Sequence, residues 1–561
     1  MTRLTPQPSL QDPHRVYPTL TSSQLTRIAT RGRRRVVAEG EVLVHPGEKA
    51  ARVFVVLKGR IEIVHPSPVE DVVVSICPGM FTGEATMLSG RRGLATIRGG
   101  ERSEVIEVAR DDILSIIQRD AELGPIFMHE FTQRRVELIA RDVSNLFILS
   151  SADCPGTLGV CEFLTRNGHP YTLLDLDRDT GVQELLQRFG CTPADLPVLI
   201  RGDKLVLRNP SNAQIANALG FNDGIDQSRV RDVIIVGAGP SGLAAAVYGA
   251  SEGLDVLIVE STAPGGLAGA SSAIENYLGF PTGIAGAELA TRATSQAQKF
   301  GAQLMIGSGA RRIDCGARPY VVQMDQGQCL QARAVIIGTG AEYRRLSITS
   351  LARFEGAGVY YAATIMEAQL CAGEDVAVVG AGNSAGQAAV FLAHTARHVH
   401  LVIRSNSLAD RMSRYLIERI KDHPSIVLHL QTEIVDLEGN GHLERITLRD
   451  NRTGCTEVHP IRHVFTMMGA VPNTRWLDGM LALDEKGFIK TGSDLSPKDL
   501  ASAAWPLARA PHLVEASRPG IFAVGDVRSG SLKRVASAAG DGSIAIAAAH
   551  RVLRESGQPY A

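Results

Sequence analysis

One stretch constrains this chain more than any other: RDVIIVGAGPSGLAAAVYGASEGLDVLIVE, residues 231–260. An apolar run, a Gly-x-Gly-x-x-Gly turn, a small-residue helix and a second apolar run ending in an acid together specify a β-α-β unit. Such a unit aims a helix N-terminus at a nucleotide pyrophosphate. Gly237 permits the tight turn, Gly239 lets backbone approach the pyrophosphate, and Gly242 lets helix and strand pack closely. Glu260 ends the second strand, where a carboxylate accepts hydrogen bonds from a ribose. The signature recurs in EDVAVVGAGNSAGQAAVFLAHTARHVHLVIRS, with Gly380, Gly382 and Ala385 in the glycine positions. Its second strand ends at Arg404, a residue suited to a ribose 2'-phosphate, so NADPH is favoured and NADH stays open. Two units imply two nucleotides, read here as a flavin, FAD, handling hydride from a nicotinamide.

These units fill only part of 561 residues, a length at which roughly three to four domains are expected. The content of 44% hydrophobic and 21% charged residues fits a soluble globular protein. A net charge of -1 gives no general case for binding nucleic acid or a membrane surface. The basic run RGRRRVV, with Arg31, Arg33, Arg34 and Arg35, reads as a solvated edge. No apolar run reaches the roughly 18 to 20 residues of a membrane span. The opening MTRLTPQPSLQDPHRVYP lacks a hydrophobic signal core and reads as a mobile arm. Eight cysteines without a CxxC or zinc spacing suggest a reducing cytoplasm, inert thiols and no metal site.

Upstream of the fingerprints lie two further modules. Residues 18–110 read as short strands, with alternating Val53, Val55 and Leu57, then Ile61 and Ile63, and with Gly47, Gly59 and Gly79 in turns. That pattern predicts a small β-barrel or jelly roll. A helical stretch over 111–143 closes it. The next module alternates strand and helix from NLFILSS to NAQIANALG in the order β-α-β-α-β-α, a compact α/β unit. A polar hinge, FNDGIDQSRVRD, follows.

From about residue 228 to the end, the chain resembles the low-molecular-weight thioredoxin reductases. Besides the fingerprints, PGGLAGASSAIENYLGFPTG looks like the family's flavin-side loop, AVIIGTGAEYRRL like the strand leaving the FAD domain, and GIFAVGDVRSGSLKRVASAAGDG like the closing Gly-Asp motif. The resemblance implies that Gly266 and Asn276 border the flavin and that Gly525 and Asp526 hold its ribityl chain or pyrophosphate. It sets Lys533, Arg534 and Val535 beside the isoalloxazine. The implied architecture is an FAD domain interrupted by an NADPH domain, in a homodimer. The family's CxxC and following acid fall on Ala362, Ala363, Thr364, Ile365 and Met366, so both sulfurs and the acid are missing. A thiolate is the nucleophile of disulfide exchange, and thioredoxin reduction through this slot is therefore excluded.

The middle module resembles a thioredoxin or glutaredoxin, with Cys154 between a strand and a helix and Pro197 in a loop like the family's proline loop. Cys161 on the same helix would lie about 10 Å away at 1.5 Å per residue, beyond the roughly 7 Å that a disulfide spans. A monothiol role for Cys154 and a redox-inert docking role both stay open. The first module resembles a cyclic-nucleotide-binding domain in GEVLVHPGE, VFVVLKGRIEIV and FTGEATMLSGRRGLATI. Gly83 and Glu84 match its phosphate cassette, while the family's arginine position falls on Gly93, one residue after Arg92. A cyclic nucleotide is thus a possible effector, through Arg92 after a one-residue shift. With no helix-turn-helix after this domain, DNA binding is disfavoured.

The resulting expectation is a multidomain chain: 1–143 cyclic-nucleotide-binding-like, 144–222 thioredoxin-like, 228–345 with 468–561 binding FAD, and 346–467 binding NADPH. Its reaction would carry hydride from NADPH to FAD and on to a quinone, an electron-transfer protein or oxygen. Two rivals remain, an NADPH and nucleotide sensor with a protein partner, and a thiol-disulfide reductase working through Cys154.

Overall fold

The computed structural model describes residues 18–49, 51–64, 72–140, 146–151, 154–176, 182–201, 205–271, 273–409, 412–477 and 479–555. The expected mobile arm lies almost wholly outside them.

The N-terminal strands form two antiparallel sheets. Strands Arg33–Val37, Ser103–Ala109 and Arg52–Lys58 make one, in that spatial order, and Val42–Val44, Thr96–Gly99, Ile61–Val64 and Val72–Ile76 make the other. Strand Arg52–Lys58 departs from the expected alternation because both its faces are covered. Phe54 and Val56 meet the opposite sheet, whereas Val53 and Val55 pack on Phe127 and Phe131 of the helical cover. The turns fall at Gly47, Gly59 and Gly79, with φ of 83°, 79° and 84°, a region open to glycine at little steric cost.

The closing helical stretch comprises two helices, Arg110–Arg119 and Leu123–Ala140. Asp120 divides them, its carboxylate accepting the amides of Glu122 and Leu123 at 3.0 and 2.9 Å and so starting a new helix. The basic run lies on an ion-paired sheet edge. Glu107 meets Arg33, Arg35 and Arg52, and Glu104 meets Arg34.

The middle unit is a four-stranded sheet in the order Leu205–Arg208, Val198–Arg201, Leu146–Ser150, Thr172–Asp175, with helices Pro155–Arg166, Val182–Arg188 and Asn212–Leu219. Strand Leu205–Arg208 was missing from the sequence reading. At four residues, three of them half-buried in a row and the last exposed, it carries no alternating signal, and it exists through its antiparallel ladder to Val198–Arg201.

Downstream, Gln303–Ile306, Val256–Glu260, Val230–Val236 and Cys329–Ile337 run parallel in one seven-stranded sheet. Residues Val233 to Val236 are all buried, as a parallel strand covered on both faces requires. Helices Pro240–Ser251 and Val535–Glu555 pack against each other on this sheet. A second, five-stranded parallel sheet runs Val359–Tyr360, His463–Thr466, Asp375–Val379, His398–Ile403, Ile426–Leu430. The chain passes between the two sheets twice. Its two passages pair with each other as Ala341–Tyr343 against Ala470–Pro472.

Candidate dinucleotide-binding site

Both glycine turns open on one cavity of about 1790 Å³. In the first turn Gly237 has φ 103°, and a Cβ there would sit 2.4 Å from the Gly338 carbonyl oxygen. A Cβ on Gly242 would lie 2.0 Å from the Gly237 oxygen. These two glycines therefore serve turn and packing, and Gly242 stands behind the cavity wall. Gly239 differs: a Cβ on it would meet nothing within 4 Å and would project into open space. The second turn repeats the division. A Cβ on Gly380 would meet the Met467 oxygen at 2.4 Å, one on Gly382 would meet nothing within 4 Å, and Ala385 is buried.

Glu260 stands at the end of its strand in the cavity wall. Its carboxylate accepts the amides of Ala238 at 2.8 Å and Thr262 at 2.9 Å. Burial pushes its pKa up, and those amides with nearby Arg166 pull it back. Across the cavity, burial likewise raises the pKa of Asp526, opposed by Lys533, whose ammonium donates to the Asp526 carbonyl at 3.0 Å. Gly525 has φ 70° and donates to Asp541 at 3.0 Å. Lys533, Arg534 and Val535 line the cavity at the start of the last helix. Gly266 and Asn276 line it as well, with Gly266 so close that its Cβ would lie 3.2 Å from the Gly239 Cα.

Arg404 sits just past strand His398–Ile403, exposed and lining the cavity. Among the described residues its guanidinium has no hydrogen bond or ion pair. The slot expected to carry cysteines splits in direction. Ala362 lines the cavity and Ala363 is buried, but Ile365 is 70% exposed. Thr364 gives its amide to Glu367 at 2.8 Å, capping helix Ile365–Leu370, in which Met366 lies. Glu367 was missed from sequence. It places a buried carboxylate in the cavity wall, near Ala362 and one residue beyond the expected acid.

The other group missed is a face of the middle unit. Leu158, Gly159, Glu162 and Arg166 of helix Pro155–Arg166 line the same cavity. Arg166 donates to the Gly266 carbonyl at 3.1 Å and pairs with Glu162 at 3.1 Å, while Asn167 donates to the Thr262 carbonyl at 3.0 Å. The helical spacing of 158, 162 and 166 is visible in sequence, but nothing there says which unit that face meets. Cys154 is the N-cap of this helix and lies outside the cavity lining. Cys161, farther along the same helix, is buried in the core, its thiol pKa pushed up by burial. All eight cysteines are free thiols.

The cassette residues of the first unit lie elsewhere. Glu84 is buried and accepts the amide of Thr86 at 3.2 Å. Gly83 has φ 108°, and its carbonyl, with that of Phe81, takes hydrogen bonds from Arg134 at 3.2 and 2.8 Å. Arg92 turns away from Glu84 to pair with Asp223 at 2.7 Å. Among the described residues, no helix is long and apolar enough to cross a membrane.

One glycine-turn α/β unit is thus interrupted by another, and both turns face one cavity. Residues 231–542 match the pyridine nucleotide-disulphide oxidoreductase family, and the chain belongs to that family. Residues 34–120 match the cyclic nucleotide-binding domain. The chain is 32% identical to the thioredoxin reductase of Bacillus subtilis, over 59% of its own length and 97% of that protein. It is 31% identical to NADPH-dependent thioredoxin reductase 3 of Arabidopsis thaliana, over 58% of each. The thioredoxin reductase of Lactococcus lactis in its FR conformation superposes with a TM-score of 0.52 at 25% identity, covering 58% of this chain and 99% of that one. That of T. acidophilum gives 0.51 at 28%, covering 59% and 100%.

Proposed function

We propose that this chain is an FAD-dependent NADPH oxidoreductase that delivers electrons to an acceptor other than a disulfide: a quinone, an electron-transfer protein or oxygen. Hydride exchange between nicotinamide and flavin is the chemistry the bound pair supplies. FAD fits the first turn, because the open space at Gly239 admits a pyrophosphate to the helix N-terminus. Glu260 would hold a ribose, Asp526 with Gly525 the ribityl and pyrophosphate region, and Asn276, Lys533, Arg534 and Val535 the ring. Gly380, Gly382 and Ala385 would seat NADPH, with the unpaired Arg404 guanidinium on its 2'-phosphate. Ala362 carries the reading of the acceptor. In the cavity wall it presents a methyl group where disulfide exchange needs a thiolate.

The same reading divides the chain into a jelly-roll unit at 1–143, a thioredoxin-like unit at 144–222 and an NADPH unit, 346–467, set inside the FAD unit. It takes the whole as a cytoplasmic homodimer, with a cyclic nucleotide as an effector at Gly83 and Glu84, a role Arg92 would join only on leaving Asp223. The test is anaerobic stopped-flow reduction of the flavin-loaded protein by NADPH, then addition of thioredoxin, a quinone or oxygen separately. Fast bleaching with fast reoxidation by quinone or oxygen is expected. Fast reoxidation by thioredoxin alone would refute the reading. Loss of that activity in Cys154→Ser would then assign it to the middle unit.

A further inference from the structure

A second, smaller cavity of about 30 Å³ lies where the first unit, the middle unit and the segment leading into the flavin-binding sheet meet. Three arginines line it. Arg91 and Arg92 come from the cassette loop of the first unit, and Arg201 comes from the end of strand Val198–Arg201 in the middle unit. His169 closes another side. The backbone on the first unit's side is pinned by reciprocal bonds, Gly47 amide to Gly93 oxygen and Gly93 amide to Glu48 oxygen, each 2.9 Å.

The three guanidiniums differ in what they meet. Arg92 gives two hydrogen bonds to Asp223, at 2.9 and 2.7 Å. Lys49 also faces Asp223, donating to its backbone oxygen at 3.0 Å. Arg91 stacks over the Phe221 ring at 4.4 Å and reaches the Asn167 carbonyl at 3.3 Å. The Arg201 guanidinium lies 3.6 Å from the Cβ position of Gly47. Among the described residues it has no hydrogen bond or ion pair. Its pKa is lowered, first by burial and then by Arg92. A desolvated guanidinium facing another cation is unfavourable until an acceptor arrives. Asp223, the carboxylate that Arg92 meets, is already taken by it.

We propose that this junction is a binding site for a phosphate group, held by Arg201 across from Arg91 and Arg92. A planar guanidinium fork matches phosphate oxygens, and two forks from different units would clamp one phosphoryl group between them. Glu84 does not line this cavity, so the site lacks the residue inferred for the cyclic-nucleotide ribose; it shares only Arg92 with that reading and would compete with it for that side chain. Occupancy would join the first unit to the middle unit. It would act beside a hydrogen-bonded chain that runs from Arg91 to Asn167, from Asn167 to Thr262 and from Thr262 to Glu260 in the large cavity. The proposal stands independently of the oxidoreductase reading.

The phosphate could be free or carried by a nucleotide, and titration calorimetry of the full chain at constant ionic strength separates the two. Inorganic phosphate, 5'-AMP and 3',5'-cyclic AMP are titrated in turn, with chloride as the control. Saturable one-site binding of at least one of them is expected, weakened tenfold or more by Arg201→Gln and tightened threefold or more by Asp223→Asn. Equal affinities identify the phosphoryl group alone as the ligand, and a preference for one nucleotide identifies its source. If Arg201→Gln does not fold, Asp223→Asn decides with inorganic phosphate and 5'-AMP, which the Glu84 reading does not invoke, and unchanged or weaker binding of both in it overturns the proposal. So does Arg201→Gln binding like the parent protein, a response shared by chloride, or saturable binding of none of the three.

Discussion

The two halves of the first glycine turn can be separated by one methyl group. In Gly239→Ala the backbone stays in an ordinary region, φ -69° and ψ 179°, and the new methyl meets nothing within 4 Å. The folded chain is therefore unstrained, and the narrower unfolded ensemble adds about 0.4–1 kcal/mol of stability. In Gly237→Ala the residue must hold φ 103° with its methyl 2.4 Å from the Gly338 oxygen. A left-handed conformation costs about 1–2 kcal/mol for a residue with a Cβ. Displacing a packed backbone adds about 1–3 kcal/mol, so about 2–5 kcal/mol is lost in all. At roughly 2–4 °C per kcal/mol for a domain of 150–250 residues, Gly237→Ala should melt about 4–20 °C lower and Gly239→Ala about 1–4 °C higher than the parent. FAD affinity should fall in Gly239→Ala even though that variant keeps its stability. The Gly239 methyl occupies the space a pyrophosphate needs, and a loss of tenfold or more, about 1.4 kcal/mol, is expected. The assay is circular-dichroism melting of flavin-free protein together with fluorescence titration of FAD. Full FAD affinity in Gly239→Ala, or a Gly237→Ala protein that melts normally, would refute the division between a turn glycine and a ligand glycine.

Three further outcomes are expected. Arg404→Ala should raise KM for NADPH roughly ten- to hundredfold, the equivalent of a lost charge-assisted bond of about 1.5–3 kcal/mol, with KM for NADH unchanged; an equal rise for both would place Arg404 away from the 2'-phosphate. Arg166→Gln should lower FAD affinity several-fold while the protein stays folded, because its guanidinium braces the Gly266 carbonyl of the flavin-side loop; unaltered flavin content would limit Arg166 to joining the two units. His400 forms a cluster with His429 and His459, its Nδ1 3.0 Å from His429 Nε2, and burial followed by those neighbours lowers its pKa to about 4. The unfolded chain then takes up this proton first, so the contribution is complete above about pH 6.5, falls with pH and is gone by about pH 4. After discounting for solvent around a half-buried ring, it amounts to about 1–2 kcal/mol. Melting temperature against pH should show that decline, and His400→Phe should flatten it.

Local patterns wrote most of the nucleotide chemistry into the sequence. The glycine spacing, the terminal Glu260 and Arg404 and the empty cysteine slot each depend on a few neighbouring residues, because a turn, a helix N-terminus and a strand end are built within one short segment. Gly47, Gly59 and Gly79 were legible as turns for the same reason. What the sequence left undecided depends on partners far along the chain. Strand Leu205–Arg208 needed its ladder to Val198–Arg201 before it could be seen as a strand. Both faces of Arg52–Lys58 are buried only because a second sheet and a helical cover close over it. Arg166 in the flavin-side wall, Glu367 beside Ala362, and Arg92 drawn to Asp223 instead of Glu84 were likewise settled by tertiary packing. A side chain's local setting fixes which groups it can offer, but its partner is fixed by how whole units dock, and that is a balance of burial and charge summed over surfaces no single segment contains.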